Sequence, residues 1–229
     1  MGFKPCIKNS FTAPYGVLQH LSKAVVVIFL LICQPAIAER PTVLALGDSL
    51  TQGYGLAHDN GFVPQLMQWL SDNGTPAEII NGGVSGDTTA GGLERVEWSL
   101  SDDVDAMIVA LGSNDMLRGI APEDSHHNLA QILEIGQNRG LKLMLIGVRA
   151  TGNFGPDYKQ KFDAIFPDLA QRYQAIYEDS FFTGIMDPDK PKQPILGLLQ
   201  SDRMHPNVDG IRKVVETLGP TVQQLIIAK

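Results

Sequence analysis

The chain has 229 residues, 44% hydrophobic and 19% charged, with a net charge of -7. That length suits one domain with a sizeable core, and the composition is globular rather than disordered. An acidic chain without a basic run is a poor nucleic-acid binder, because such binding relies on Lys and Arg neutralising phosphates.

Residues 1–38 stand apart from the rest. They carry Lys4, Lys8 and Lys23 and no acid. Residues 24–33 are an apolar run, closed by Gln34 and Pro35, and Ala36-Ile37-Ala38 follows as an Ala-x-Ala pattern. This reads as a secretory signal peptide with a long n-region, cleaved near Ala38. A membrane-spanning helix needs about 20 apolar residues, more than this run supplies. Ile32 precedes Cys33 where a lipoprotein signal has a small residue, which argues against lipidation. Cleavage takes the charge from -7 to -10, since three lysines and no acid are lost, and it removes both cysteines, Cys6 and Cys33. The expectation is therefore a periplasmic or secreted domain over residues 39–229, without disulfides, a cysteine nucleophile or a Cys-ligated metal.

Beyond residue 40, apolar runs alternate with helical patterns. Residues 42–46 read as a strand buried on both faces. Residues 62–70 carry apolar side chains at 62, 63, 66, 67, 69 and 70, a helical face ended by Asn73-Gly74-Thr75-Pro76. The spacing then predicts a strand at 77–81, a helix at 91–100 and a strand at 106–111. A helix opens at Pro122-Glu123, runs through Leu129, Ile132, Leu133 and Ile135, and closes near Gly140. A strand at 141–148, a helix at 159–173, a fifth strand at 175–182 and a terminal helical region at 207–228 complete the pattern. Gly219-Pro220 is a candidate break in that last helix. Strands alternating with helices imply a parallel sheet covered on both faces, with sites at the carboxyl ends of the strands.

Four polar blocks each sit just past an apolar run. They are Gly47-Asp48-Ser49-Leu50, Gly83-Val84-Ser85-Gly86-Asp87-Thr88, Gly112-Ser113-Asn114-Asp115 and Asp202-Arg203-Met204-His205-Pro206. Together they supply a hydroxyl, two kinds of oxyanion donor, an imidazole and a carboxylate, the groups that acyl transfer by a serine requires. Ser49 falls at a strand-to-helix turn, where free N–H groups and the helix dipole favour a nearby oxyanion. An imidazole between a hydroxyl and a carboxylate activates serine, and Asp202 and His205 lie three apart in one loop. Pro206 biases His205 toward extended backbone. The Asn114 amide and the Gly86 N–H are candidate oxyanion donors. The plainer reading of each residue lies outside this chemistry: Ser49 a helix cap, Asn114 a turn former, Gly86 a loop glycine, Asp202 and His205 a metal pair or a surface pair. Four blocks in one order outweigh it. His58 is a rival base, while His126 and His127 read as solvated helix residues. The glycine-rich stretch 82–92 lacks the Gly-Lys-Ser/Thr ending of a phosphate loop.

A Gly-x-Ser-x-Gly elbow is absent. The blocks instead resemble the SGNH (GDSL-type) hydrolases, in particular the exported thioesterase I/protease I/lysophospholipase branch, also known as arylesterases. The resemblance covers about residues 42–227 and rests on Leu46-Gly47-Asp48-Ser49-Leu50-Thr51, residues 81–88 and 112–119, and His205-Pro206-Asn207. One departure is Ser113 after Gly112, where close relatives often have Gly. The resemblance implies a flavodoxin-like three-layer α/β/α sandwich around a mainly parallel five-stranded sheet. It implies Ser49 as nucleophile, the Ser49 N–H, Gly86 and Asn114 as oxyanion donors, His205 as base and Asp202 as its acid, with no metal or organic cofactor. The expected substrates are small acyl esters or thioesters, and the expected protein is a monomer or weak dimer with no stable membrane anchor. Met116, Leu117, Ile120, Phe154 and Ile185 could line an acyl groove or be plain packing. The loop at 149–158, with two glycines, could flex over the site. Activity is expected to fall in acid as imidazole is protonated. A carbohydrate O-deacetylase or a non-catalytic periplasmic binding module are the alternatives.

Overall fold

The computed structural model describes residues 1–2, 40–187 and 190–228. Residues 3–38 of the expected signal peptide, with its apolar run and cleavage site, lie outside the described residues. No helix among the described residues is long and apolar enough to cross a membrane.

Strand β1, Thr42–Gly47, is buried along nearly its whole length, as a continuous apolar run requires. Its side chains alternate: Val43 and Ala45 enter one core, Leu44 and Leu46 the other. Strands β2 (Glu78–Gly83), β3 (Val104–Ala110), β4 (Lys142–Ile146) and β5 (Ile176–Glu178) join it in the order β2-β1-β3-β4-β5. Every pairing is parallel. This is the flavodoxin-like order, in which the chain departs from β1 to opposite sides and leaves a crevice between β1 and β3.

Helices cover both faces. On one face, α2 (Phe62–Asp72) and α7 (Val208–Ile227) pack Phe62, Leu66, Val214 and Leu218 against Val43, Ala106 and Met144. On the other, α3 (Thr89–Ser99), α5 (Pro122–Asn138) and α6 (Pro156–Tyr173) pack Val96, Ile132, Phe162 and Phe166 against Leu44, Met107 and Leu145. Two short helices, α1 (Ser49–Gln52) and α4 (Ser113–Arg118), follow β1 and β3 directly. A small antiparallel pair, β6 (Met186–Asp187) and β7 (Lys190–Pro194), precedes α7.

The helix Ser113–Arg118 and the β6–β7 pair lie outside the sequence pattern, and three expected elements differ from it for reasons of packing. The β2 strand continues through Gly82 and Gly83, which pair with Leu46 and Gly47. A Cβ at Gly83 would lie 2.2 Å from the Gln52 nitrogen, so these glycines let α1 fold back against the strand end. The β5 strand is three residues long, not eight: Ser180 Oγ accepts from the Phe182 N–H in a turn, and Phe181 is buried in the core with α2 and α7. The terminal helix does not break at Gly219-Pro220. A proline inside a helix costs about 3 kcal/mol locally. Burial of Val214, Val215, Leu218, Val222 and Leu225 outweighs that cost, and Gly219 lets the helix close on Trp69, whose ring a Cβ would meet at 2.6 Å.

Candidate active site

The three strands carrying the first three blocks are neighbours in the sheet, so their loops emerge side by side at its carboxyl edge. The fourth block reaches that edge from the segment before α7.

Ser49 is the first residue of α1 and Asp48 is its N-cap, accepting the Leu50 N–H on Oδ1 at 3.0 Å. Gly47 allows the turn to be tight, since a Cβ there would lie 2.1 Å from Thr51 Oγ1. Ser49 Oγ is 2.9 Å from Nε2 of His205. The other ring nitrogen, Nδ1, is 2.7 Å from Oδ2 of Asp202. The residues are 156 positions apart, yet hydroxyl, imidazole and carboxylate form one hydrogen-bonded row.

The loop that carries His205 is built by Asp202. Its Oδ1 accepts the backbone N–H groups of Met204 (2.9 Å) and His205 (3.1 Å), closing a turn in which Arg203 takes a left-handed φ of 58°. The Met204 N–H, the His205 ring and the His205 N–H, in that order, lower the carboxyl to about 2. Asp202 is thus ionised at any physiological pH. Gln200 braces the loop from below: its Nε2 donates to the carbonyls of Tyr54 (2.8 Å) and Pro206 (3.0 Å), and its N–H to the carbonyl of His205 (2.7 Å). Tyr54 sets its ring 4.8 Å from that of His205.

Asn114 donates from Nδ2 to Oδ2 of Asp48 at 3.4 Å. That places its amide beside the residue before Ser49, and an amide has a second N–H to offer. Asp48 is 1% exposed, and burial raises its carboxyl to about 6 against the pull of the Leu50 N–H, of His205 and of Ser113. Asp115, also fully buried, accepts from the Thr89 N–H (2.9 Å), the Thr89 hydroxyl and the Ser125 hydroxyl (3.1 Å). It locks the third block to the start of α3, and so to the loop holding Gly86.

Gly86 has a φ of 81°, a conformation that suits glycine. Its loop is held from three sides. Gln52 on α1 accepts from the N–H (3.0 Å) and hydroxyl of Ser85. Arg118 on α4 donates to the Gly86 carbonyl at 2.7 Å. Arg95 on α3 pairs with Asp87 at 2.8 Å and donates to the carbonyls of Gly82 (2.8 Å) and Gly47 (2.9 Å).

Of the groove candidates, Leu117 and Phe154 are exposed. Phe154 lies against Gly119, and Tyr158 donates to the Ile120 carbonyl at 3.0 Å, so Leu117, Ile120 and Phe154 gather around the end of α4. Met116 points inward, 8% exposed, with the Thr151 hydroxyl on its sulfur. Ile185 is a correction: it is fully buried in the core formed with α2 and α7, because its 3-10 turn packs on α7 through Gly184. It has no surface to offer a ligand. The loop at 149–158 is tied at both ends, by Ala150 N–H to Asp163 (2.7 Å) and by Lys159 to the Ala150 carbonyl (2.6 Å), leaving residues 151–154 as an exposed tip. His58 is exposed and paired with Asp59 at 3.0 Å, so it is not the imidazole on Ser49. His127 is exposed as expected, but His126 is half-buried, with Nε2 3.0 Å from Asp168. Among the described residues, no group of three or more His, Cys, Asp and Glu is placed to hold a metal.

Sequence reasoning gave no role to Asp48 or Asp115, although both stand inside its blocks. The polar-but-buried character that marks them is visible only in three dimensions. Arg95, Gln52 and Gln200 carry no local signal for the bonds that join separate blocks, to Gly47, Ser85 and Tyr54, which span 33 to 146 positions.

Residues 45–213 match the model of the GDSL-like lipase/acylhydrolase family. Among similar proteins is esterase TesA of Pseudomonas aeruginosa, 32% identical over 86% of this chain and 94% of that protein. Another is the thioesterase 1/protease 1/lysophospholipase L1 of Escherichia coli, 30% identical over 87% of this chain and 91% of that protein. The crystal structure of AlinE4, an SGNH-hydrolase family esterase, superposes with a TM-score of 0.66 at 38% identity, covering 84% of this chain and all of that one. With a match over most of its length and a fold of the same architecture, the chain belongs to the GDSL-like lipase/acylhydrolase family.

Proposed function

We propose that the chain is an exported serine esterase that hydrolyses small acyl esters or thioesters through an acyl-enzyme. The observation that carries this reading is the hydrogen-bonded row from Ser49 through His205 to Asp202. Ser49 Oγ attacks the carbonyl carbon as His205 Nε2 takes its proton, and ionised Asp202 stabilises the imidazolium and fixes its tautomer. The carbonyl oxygen becomes an oxyanion received by the Ser49 N–H, which as a first-turn donor has no partner inside its helix, by Gly86 N–H and by the Asn114 amide. The tetrahedral adduct collapses, the leaving oxygen or sulfur takes the proton from His205, and water then releases the acid by the same steps.

Exposed Leu117 and Phe154, gathered near the end of the helix that begins with Ser113 and Asn114, suit an apolar acyl chain, which favours esterase or thioesterase action over carbohydrate deacetylation. The lysine-bearing apolar leader supports export to the periplasm or beyond. The deciding experiment is a panel of p-nitrophenyl esters and acyl thioesters of increasing chain length, with Ser49→Ala as control. Ser49→Ala should abolish turnover and fluorophosphonate labelling while keeping the wild-type circular dichroism spectrum. Near-wild-type turnover in that variant would overturn the reading.

A further inference from the structure

The Ser49 N–H and the Gly86 N–H lie in different loops, one after β1 and one after β2, yet both are proposed to meet a single oxygen. A donor misplaced by about 1 Å can cost on the order of 100-fold in rate. The spacing of the two loops is therefore part of the catalytic geometry.

One side chain spans that spacing. Arg95, on the second turn of α3, donates from Nε to Asp87 Oδ2 at 2.8 Å, from Nη1 to the Gly82 carbonyl at 2.8 Å and from Nη2 to the Gly47 carbonyl at 2.9 Å. Gly47 ends β1 two residues before Ser49, Gly82 is the last but one residue of β2, and Asp87 follows Gly86 directly. The side chains of Arg95 and Asp87 are 18% and 13% exposed, so these bonds are largely shielded from water. Asp87 is itself fixed. Its Oδ1 accepts the Thr88 N–H at 3.1 Å, and its N–H donates to the Val84 carbonyl at 3.1 Å. A Cβ at Gly91 would fall 1.8 Å from Asp87 Oδ1, so glycine there lets the carboxylate lie on the first turn of α3. A planar guanidinium holds its N–H groups at set separations, which a flexible ammonium does not.

We infer that Arg95 is a positioning residue for the oxyanion hole, a rigid fork that sets the distance between the Ser49 turn and the Gly86 loop so that their two N–H groups converge on one oxygen. The inference rests on the serine-esterase reading above. None of the three bonds goes to Ser49, His205 or Asp202. Loss of the fork should therefore weaken the tetrahedral state and leave proton transfer along the catalytic row intact.

The test is Arg95→Lys, which keeps a positive charge beside Asp87 but lacks the fork that reaches both carbonyls. Titration with a fluorophosphonate counts the sites that label, so kcat is read per competent site. For p-nitrophenyl butyrate, kcat per labelled site should fall roughly 10- to 100-fold with KM within about 3-fold, because the donors are displaced and not removed. The acid limb of the pH profile should not move, since both ring nitrogens of His205 keep their partners. Butylboronic acid, which adds to Ser49 Oγ as an anionic tetrahedral adduct, should lose affinity by a similar factor. Asp87→Asn removes the charged acceptor, leaves both carbonyl bonds of Arg95 in place, and should show the same paired loss at a smaller size. Should Arg95→Lys leave no labelled site, Asp87→Asn decides alone. A residue needed only for folding would reduce the number of labelled sites and leave kcat per site and boronate affinity unchanged. That result, or a loss confined to KM, would overturn the role of Arg95 and leave the esterase reading intact. A wild-type protein that neither cleaves the ester nor takes the label at Ser49 would overturn both.

Discussion

Asp48 is where burial and charge oppose each other most directly, and Asp48→Asn isolates that conflict. The side chain is 1% exposed and its carboxyl stands near 6 in the folded protein, against 3.8 for an ordinary aspartate, chiefly because burial penalises the charge. A raised carboxyl makes the folded state bind its proton more tightly than the unfolded chain does. Its stabilising contribution is full below about 3.8 and is lost as pH rises through about 6. At pH 8 the buried charge therefore costs about 3 kcal/mol relative to the neutral form, at about 1.4 kcal/mol per pH unit. Asparagine removes that charge and still accepts from Leu50, but it gives up the acceptor facing Asn114, worth about 1 kcal/mol. The variant should thus be about 2 kcal/mol more stable than wild type at pH 8. At pH 5 the wild-type carboxyl is mostly protonated when folded and mostly ionised when unfolded, so the advantage should shrink by about 1.4 kcal/mol. Urea unfolding followed by circular dichroism at the two pH values measures both quantities. A stability difference that is the same at pH 5 and pH 8, or a variant less stable than wild type at pH 8, would refute the argument.

Three further outcomes follow from the geometry. Asn114→Ala should lower kcat by on the order of 100- to 1,000-fold with KM little changed, the signature of a lost oxyanion donor, and an equal rise in KM would contradict that role. Asp202→Asn should lower kcat by up to on the order of 10,000-fold, through loss of the correct imidazole tautomer. Because the Asp202 carboxyl is depressed to about 2, the stability it adds is present above about 3.8 and lost as pH falls through about 2. The stability gap between Asp202→Asn and wild type should therefore not shrink from pH 8 to pH 5, where the ionised carboxylate also holds the imidazolium, and should close only in stronger acid. Gly83→Ala puts a methyl 2.2 Å from the Gln52 nitrogen, which as backbone cannot swing aside. It should cost about 1–3 kcal/mol and displace α1, and an unchanged thermal midpoint with full activity would show that the strand end and α1 are less tightly joined than described.

Much of the fold was legible because its signals are local. A strand covered on both faces must be apolar at every position, and Thr42–Gly47 and Val104–Ala110 are nearly so. Helices with one buried face repeat their apolar residues at helical spacing, as in α6 with Phe162, Ile165, Phe166 and Leu169. The catalytic candidates were legible for a different reason: each block is a short stretch in which a turn, a helix start and a reactive group occur together. The helix boundary at Pro220 and the short β5 were misread because local propensity was the only guide, and in both places long-range burial overrode it.

From the chain alone one can read the alternation of the five sheet strands with the long helices, the four polar blocks, and the type of chemistry their residues can perform. Tertiary structure decided which blocks meet, that Ile185 belongs to the core and not to a groove, and that Arg95, Asp115, Gln52 and Gln200 hold the loops together. The physical reason is that periodicity and turn chemistry act between neighbours and leave a repeating trace in the chain. A hydrogen bond such as Gln200 to Tyr54, spanning 146 positions, exists only because the sheet order carries both partners to one edge, and it leaves no pattern on either side of them.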